Sequence, residues 1–431
     1  MATRKQPSLK DALHSCYPDD VLRDLAQKAG VQRRARKVKP VALFWALVLG
    51  FGAGARRTNS ELRREFQQAT RSVIARSAFY DRFTPQLTAF LRSVVCWATT
   101  VHGEPTESPQ GLLAGFHDIV VTDSTVLRLH QMLEGAYQAC RTNVVRAAAK
   151  LHLVMSVSGV SPRRVRITGE RSPDGRNLMV GPWVANRLLL FDLGYFSYQL
   201  FDRIARNLGF FVSRAKANVN PRIVAVNRTC RGRSIDLVGR HLQDVLCRLQ
   251  REVLDVMVEV EFKRRSYGGK QSTGTRILRL VGVLNAESGD YHLYMTNVPV
   301  DRLEAHEVAR VYRARWEVEL IFKELKSHYQ LDQLPSTKPH IVEALIYSAI
   351  LTLIASRKVL VALRRALRVP ASRTPERRWT ITLHSCAARI LDLLLDPEAR
   401  ASQWRRIEEF LAKEFLDPNR SRTRNLGVSW S

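Results

Sequence analysis

Two aspartates each close an apolar run of strand character: Asp123 follows Ile119-Val120-Val121-Thr122, and Asp192 follows Leu188-Leu189-Leu190-Phe191. A carboxylate at the carboxyl end of a buried strand stands at the rim of a sheet, half desolvated, where it can hold a metal together with its neighbours. Either aspartate alone is also explained as a turn or helix cap. A third acid lies in the helical stretch Val311-Tyr312-Arg313-Ala314-Arg315-Trp316-Glu317-Val318-Glu319. At ~100° per residue, Tyr312, Arg315, Glu319 and Lys326 share one helical face, whereas Glu317 and Glu324 point elsewhere. Geometry therefore nominates Glu319 among the three glutamates. The plainer reading of that face is solvated surface with an Arg315–Glu319 ion pair, worth roughly 0.2–0.5 kcal/mol.

What such acids would act on follows from charge. The chain has 431 residues, with 68 Lys+Arg against 40 Asp+Glu and a net charge of +28. A surface this positive calls for a polyanion. Nucleic acid fits best, since arginine outnumbers lysine and its planar fork suits phosphate. A membrane surface fits less well, because the charge is spread along the chain rather than gathered on one amphipathic helix or terminal cluster. Residues 201–280 are the richest stretch, with 17 Lys+Arg against 7 Asp+Glu.

Hydrophobic residues at 45% and charged residues at 25% exclude a disordered tail protein, and the length points to two or three structural units. Met1 to Lys10 is polar and basic, so no secretory signal is read and a cytoplasmic protein is expected. The longest uncharged runs, Pro40 to Ala55 and Ala344 to Ser356, fall short of the ~20 residues a bilayer demands and are expected as buried helices. Six widely spaced cysteines, Cys16, Cys96, Cys140, Cys230, Cys247 and Cys386, are expected as reduced structural thiols.

The elements that must position the acids change character along the chain. From Ser8 to about Thr100 the periodicity is helical, broken by Gly30, the Gly50 to Gly54 run and Pro85, with a basic patch at Arg33, Arg34, Arg36, Lys37 and Lys39. Thr58-Asn59-Ser60 caps a helix through Gln68 and Ser72 to Phe83 offers a second; this reads either as a helix-turn-helix or as plain packing. Short β-rich runs follow at Asp118 to Thr122, Leu151 to Val157, Arg163 to Thr168, Leu188 to Phe191 and Phe210 to Ser213, with a helix from Tyr195 to Asn207. That order matches a ribonuclease-H-like core. Ala217 to Val300 interrupts it with a helix from Arg240 to Gln250 and strands at Val253 to Phe262, Thr275 to Val283 and Tyr291 to Thr296 around a Gly268-Gly269 turn. Leu303 to Tyr329 reads as one long helix, and His340 to Ser431 as a helical, basic end.

The expected fold is α/β: a ribonuclease-H-like catalytic core over 111–216 and 301–339, interrupted by a β-rich insertion over 217–300. An N-terminal helical DNA-binding domain over 1–110 and a C-terminal helical domain over 340–431 flank it.

These residues carry a resemblance. Asp123 in IVVTDST, Asp192 in LLLFDLGYF, the FFVSRAK run to Lys216, and Tyr-x2-Arg-x3-Glu-x6-Lys at Tyr312, Arg315, Glu319 and Lys326 resemble the insertion-sequence transposases of the DDE type, specifically the IS-four family with its YREK signature. Arg315-Trp316, the downstream FKELKSHYQLDQL and the upstream LYMTNVPV fit too, and the likeness spans most of the chain. It implies a DNA transposase that binds the terminal inverted repeats of an insertion sequence, cuts the ends and joins the 3′-hydroxyls to target DNA by cut-and-paste. It implies that Asp123, Asp192 and Glu319 are catalytic and hold two Mg2+ ions, or Mn2+ as substitute, ~3.5–4 Å apart for in-line displacement. Tyr312, Arg315 and Lys326 would hold phosphates.

The partners expected are double-stranded DNA, as terminal repeats and target, and a second copy of the chain in a homodimer; no membrane is expected. The pairing surface is expected on the C-terminal helices, His340 to Phe415, along the apolar run Ala344 to Ala355. The sequence departs from its relatives twice. Where some place a tryptophan that stacks on a flipped base, it has Tyr291-His292-Leu293-Tyr294. After the third strand, Gly169-Glu170-Arg171-Ser172 replaces the usual histidine–aspartate pair, and His152 reads as a packed strand residue. The alternatives are a ribonuclease-H-like nuclease that cuts without joining, and a non-catalytic DNA-binding protein, against which the shared helical face speaks.

Overall fold

The computed structural model describes residues 8–31, 38–53, 58–140, 143–230, 233–264 and 271–418. Arg33, Arg34, Arg36, Lys37, Gly54 and the Gly268-Gly269 turn lie outside the described residues. The chain opens with α1 (Leu9–Cys16), α2 (Asp19–Lys28), α3 (Pro40–Ala46) continued by a π-helical stretch Leu47–Gly52, α4 (Asn59–Thr70), α5 (Arg76–Tyr80) and α6 (Pro85–His102). Ser8 with Asp11 and Thr58 with Glu61 close capping boxes, and Pro40 and Pro85 take first-turn positions that need no N–H donor. α5 has 5 residues and no regular structure precedes it over Ser72 to Ala75, so the second helix of a helix-turn-helix does not form. α4 and α5 pack plainly, Phe66 against Phe79.

The sheet elements are β1 (Asp118–Leu129), β2 (Ala147–Ser156), β3 (Pro162–Gly169), a single turn α7 (Asp174–Asn177), β4 (Arg187–Phe191), α8 (Tyr198–Arg206) and β5 (Phe210–Arg214). The inserted segment follows: β6 (Arg222–Val226), a small hairpin of β7 (Thr229–Cys230) and β8 (Arg233–Ser234), α9 (Leu242–Leu246), β9 (Val253–Lys263), β10 (Thr273–Leu284) and β11 (Tyr291–Thr296). α9 is shorter than the helix expected over Arg240 to Gln250. The chain ends with α10 (Ala305–Tyr312), α11 (Trp316–Ser327), α12 (Pro339–Leu367), α13 (Glu376–Leu395) and α14 (Ala401–Glu414).

Nine strands form one sheet in the order β3-β2-β1-β4-β5-β11-β10-β9-β6. Its first half, antiparallel β3-β2-β1 with β4 and β5 parallel to β1, is the ribonuclease-H-like order. Every residue of β4 is buried, as a parallel strand covered on both faces must be. The inserted strands extend this sheet: β11 pairs antiparallel with β5, Met295 opposite Ser213, and covers an edge that would otherwise stay open.

On one face α8 lays Phe201 between Phe191 and Phe211, with stacked rings. The other face carries the helices of both chain ends, which share a single apolar core. α12 is its spine. Tyr17 donates its hydroxyl to Leu351 O at 2.7 Å and Thr352 donates to Val48 O at 2.7 Å. Gly52 meets α12 so closely that a Cβ there would lie 1.9 Å from Thr352 Oγ1, which only glycine avoids. By length and composition α12 could cross a membrane, but 83% of its apolar window is buried inside the protein. Ala344 to Ala355 is buried throughout, so this run cannot be the face that meets a second copy. Cys16, Cys96, Cys140, Cys247 and Cys386 are free thiols, Cys16 and Cys386 buried and the other three exposed.

Candidate active site

β1 and β4 run parallel, with Thr122 opposite Phe191 as their last pair, so Asp123 and Asp192 come next on adjacent strands. On that side the ladder ends where the sequence expects. On the other side it does not: β1 continues past Asp123, because antiparallel β2 keeps pairing out to Leu129 opposite Ala147. Asp123 therefore lies within its strand, opposite Leu153, with its Oδ1 accepting from the Ser124 amide at 2.7 Å.

The third acid arrives from far along the chain, and a buried arginine secures its approach. Arg279 donates to both oxygens of Asp255, at 2.9 and 2.6 Å, and to the carbonyls of Val298 and Leu303, at 3.1 and 2.7 Å. It thus ties β9 and β10 to the segment that leads into α10. The helix expected over Leu303 to Tyr329 is interrupted at Arg313–Arg315 by a 3-10 turn; at ~120° per residue it brings Arg315 back over Tyr312, with the guanidinium carbon 5.8 Å from the ring centroid.

Tyr312 is buried on that face. Its hydroxyl donates to Phe191 O at 3.4 Å and its ring packs on Tyr294, with centroids 5.2 Å apart. Arg315 is buried between two acids: Nη2 donates to Glu319 Oε1 at 2.7 Å and Nη1 to Asp123 Oδ2 at 3.4 Å. Lys326, two turns further on, stands apart from the acids, near Asp332 and Arg128; burial above all holds its pKa down. Glu324 points away, as expected, and accepts from Arg357 at 2.9 Å and Thr380 at 3.0 Å, pinning α11 to α12 and α13. Glu317 lies on that flank too, on the wall of a cleft.

Burial pushes Asp123 up to about 6, reinforced by Asp192 and Glu319 and opposed by the Ser124 amide and Arg315. Burial likewise pushes Tyr312 up to about 12. The Asp192 carboxylate makes no hydrogen bond or ion pair among the described residues.

One acid at this rim escaped the sequence reading. Asp174, just beyond Gly169-Glu170-Arg171-Ser172, accepts from the Ser124 hydroxyl at 2.7 Å and faces Lys150 Nζ at 3.3 Å and His152 Nδ1 at 3.5 Å. It also crowds the turn after Asp192: a Cβ on Gly194 would meet Asp174 Oδ2 at 3.2 Å. The apolar alternation of β2 hid the signal, since Lys150 and His152 break it. His152 is packed as expected, with Nε2 2.9 Å from Thr168 Oγ1 and its pKa pushed down to about 4 by burial. Of the aromatics on β11, Tyr294 is buried against Tyr312, and Tyr291 donates its hydroxyl to Arg251 O.

The donor set suits a hard divalent cation in kind: three carboxylates from three elements, one of them without a partner. Among the described residues no three acidic, histidine or cysteine side chains are gathered tightly enough to cage an ion as they stand. The guanidinium of Arg315 holds the space between Asp123 and Glu319.

A sheet in this order, β3-β2-β1 antiparallel with β4 and β5 parallel to β1, defines the ribonuclease-H-like class. Residues 114–355, more than half of the chain, match the family described as the transposase DDE domain, and the chain belongs to that family. It is a DNA transposase of the insertion-sequence kind, an enzyme of metal-dependent DNA cleavage and transfer. It is 20% identical over 410 residues to the transposase for insertion sequence element IS231F of Bacillus thuringiensis subsp. israelensis, covering 84% of this chain and 81% of that one. It is 38% identical over 73 residues to the putative transposase InsL for element IS186A of Escherichia coli (strain K12), covering 17% of this chain and 20% of that one. A chain from the piggyBac transposase synaptic complex with hairpin DNA aligns over 98% of this chain and 89% of that one, at 10% identity and a TM-score of 0.48.

Proposed function

We propose that Asp123, Asp192 and Glu319 are the catalytic acids of this transposase and that they hold two Mg2+ ions, replaceable by Mn2+. The observation that carries the reading is the meeting of Asp123 and Glu319, far apart in sequence, at one buried guanidinium beside an unpartnered Asp192. The bound metal supplies a nucleophile at neutral pH and charge neutralisation at the leaving oxygen. The Ser124 amide fixes one oxygen of Asp123, and the other faces Arg315. Asp174 sets the Ser124 hydroxyl and backs the Gly194 turn, and so positions the two aspartates. Tyr312 braces the end of β4 through Phe191 O; its burial fits a brace better than a direct phosphate contact. Arg315 would offer its fork to a phosphate beside Asp123 and Glu319, and Lys326 would reach one further out.

Cut-and-paste joining of 3′-hydroxyls at terminal inverted repeats by a homodimer, working on the nucleoid in the cytoplasm, completes the reading. The N-terminal helices within 1–110 serve end binding, the core over 111–216 and 301–339 does the chemistry, and the insertion over 217–300 and the helices of 340–431 support it. Incubating the protein with a pre-cut inverted-repeat end and supercoiled plasmid tests this. Joined product is expected; nicks alone would reduce the protein to a nuclease, and neither product would remove the catalytic assignment.

A further inference from the structure

α11 forms one wall of a cleft of about 1630 Å3. The other walls are the segment 106–110, the β2–β3 turn around Ser158, the second half of α12, and the loop and first turn leading into α13. Seven lysine and arginine side chains line it against four glutamates. Those glutamates are largely spoken for: Glu324 is paired with Arg357, and Glu376 lies 3.6 Å from Arg364.

The cations are not all so occupied. Lys323, Arg365, Arg368 and Arg377 are exposed, and their side chains make no hydrogen bond or ion pair among the described residues. Arg368 is held at the end of α12 by left-handed backbone (φ 53°) ahead of Pro370, so its direction is set by the chain. Lys326 lies on the cleft wall and on the helix that carries Glu319, which links the cleft to the catalytic rim.

We infer that this cleft is a track for the sugar-phosphate backbone of duplex DNA, gripped by Arg365, Arg368 and Arg377. Unpaired, exposed guanidiniums on converging walls are what phosphate recognition needs, and the apolar floor of Ile321, Leu360 and Val361 suits deoxyribose faces. The inference rests on the DNA-binding reading above and adds a place and a set of residues to it. The backbone has two possible sources, the flank of the bound transposon end or the target duplex. Both offer the same chemistry.

The test uses the full chain as R365Q/R368Q/R377Q and, separately, as R365K/R368K/R377K, with affinity measured across a salt series on an inverted-repeat duplex and on an unrelated duplex. A thermal melt like that of the unsubstituted protein shows the fold intact. At a slope of ~0.9 per phosphate contact, the glutamine variant should lose about two to three units of salt slope and bind roughly 10–100-fold more weakly on the duplex that occupies the cleft. The lysine variant should keep the slope and restore binding. Loss on the repeat duplex alone assigns the cleft to the end flank, and equal loss on both assigns it to any duplex, target included. Phosphate-ethylation interference should vanish over one contiguous stretch. Unchanged slopes on both duplexes, or an even weakening with no local change in interference, would overturn the track. Failure of the unsubstituted protein to bind either duplex would instead overturn the DNA-binding reading itself.

Discussion

Arg279 and Arg315 are both buried arginines that face aspartates, and their surroundings differ in one respect. Arg279, at the root of the insertion, has every side-chain nitrogen in a hydrogen bond: two to Asp255 and two to main-chain carbonyls. Arg315, at the rim of the sheet, leaves its buried Nε without a partner and divides the rest between two carboxylates that repel each other and a nearby third. A buried charge that is fully met behaves as scaffold, since any change to it exposes an uncompensated partner. One that is partly met, beside surplus carboxylate, leaves room for a further cation. The insertion is thus closed on itself, and the acidic rim is built short of positive charge.

Removing surplus carboxylate at the rim should have the largest effect. Asp123→Ala, Asp192→Ala or Glu319→Ala should each lower end cleavage by at least ~1000-fold, the several kcal/mol expected of metal-held transition-state charge, with end binding within a few-fold. Glu317→Ala should cleave nearly normally, and a comparable loss there with Glu319→Ala active would reverse the assignment. Next comes the scaffold: Arg279→Met leaves Asp255 buried and charged and should cost about 3–5 kcal/mol in a denaturant titration. Adding Asp255→Leu should recover most of it. If it does not, the carbonyl bonds rather than the ion pair carry the insertion root.

Asp174→Asn probes a group that acts through its neighbours. Cleavage should fall about 10–100-fold, as when an outer partner of a metal ligand is lost, while the melting temperature stays close to that of the parent; a drop in stability without a drop in rate would make Asp174 scaffold like Asp255. Arg315→Lys should lower cleavage by roughly tenfold with little change in stability, because a point charge replaces a fork. Normal turnover would mean that Arg315 serves only its ion pair.

A pH effect lies outside both regions. Burial, with His328 nearby, pushes the His384 pKa from 6.5 down to about 4. The unfolded chain takes a proton there that the folded protein refuses, so stability present above pH ~6.5 should be lost as pH falls through about 4, by up to about 3 kcal/mol. Urea titrations should show His384→Gln flattening that decline, and an unchanged pH profile would rule His384 out.

Much of this protein was legible because the signals are local. The runs ending at Asp123 and Asp192, the Thr58 cap and the strands Val253–Lys263 and Tyr291–Thr296 follow from residue type and period, which depend on near neighbours alone. Orienting Glu319 away from Glu317 and Glu324 needed only the turn of one helix. What the tertiary structure decided are choices between partners distant in sequence. Only the open edge of β5 makes the insertion join the central sheet, and only pairing with β2 carries β1 past Asp123. The end of β4 receives the Tyr312 hydroxyl at Phe191 O, the helices of the chain's first hundred residues bury Ala344 to Ala355, and the turn after β3 brings Asp174 to Ser124. Each is a contact whose energy depends on where a remote segment comes to lie, and no local pattern encodes that position.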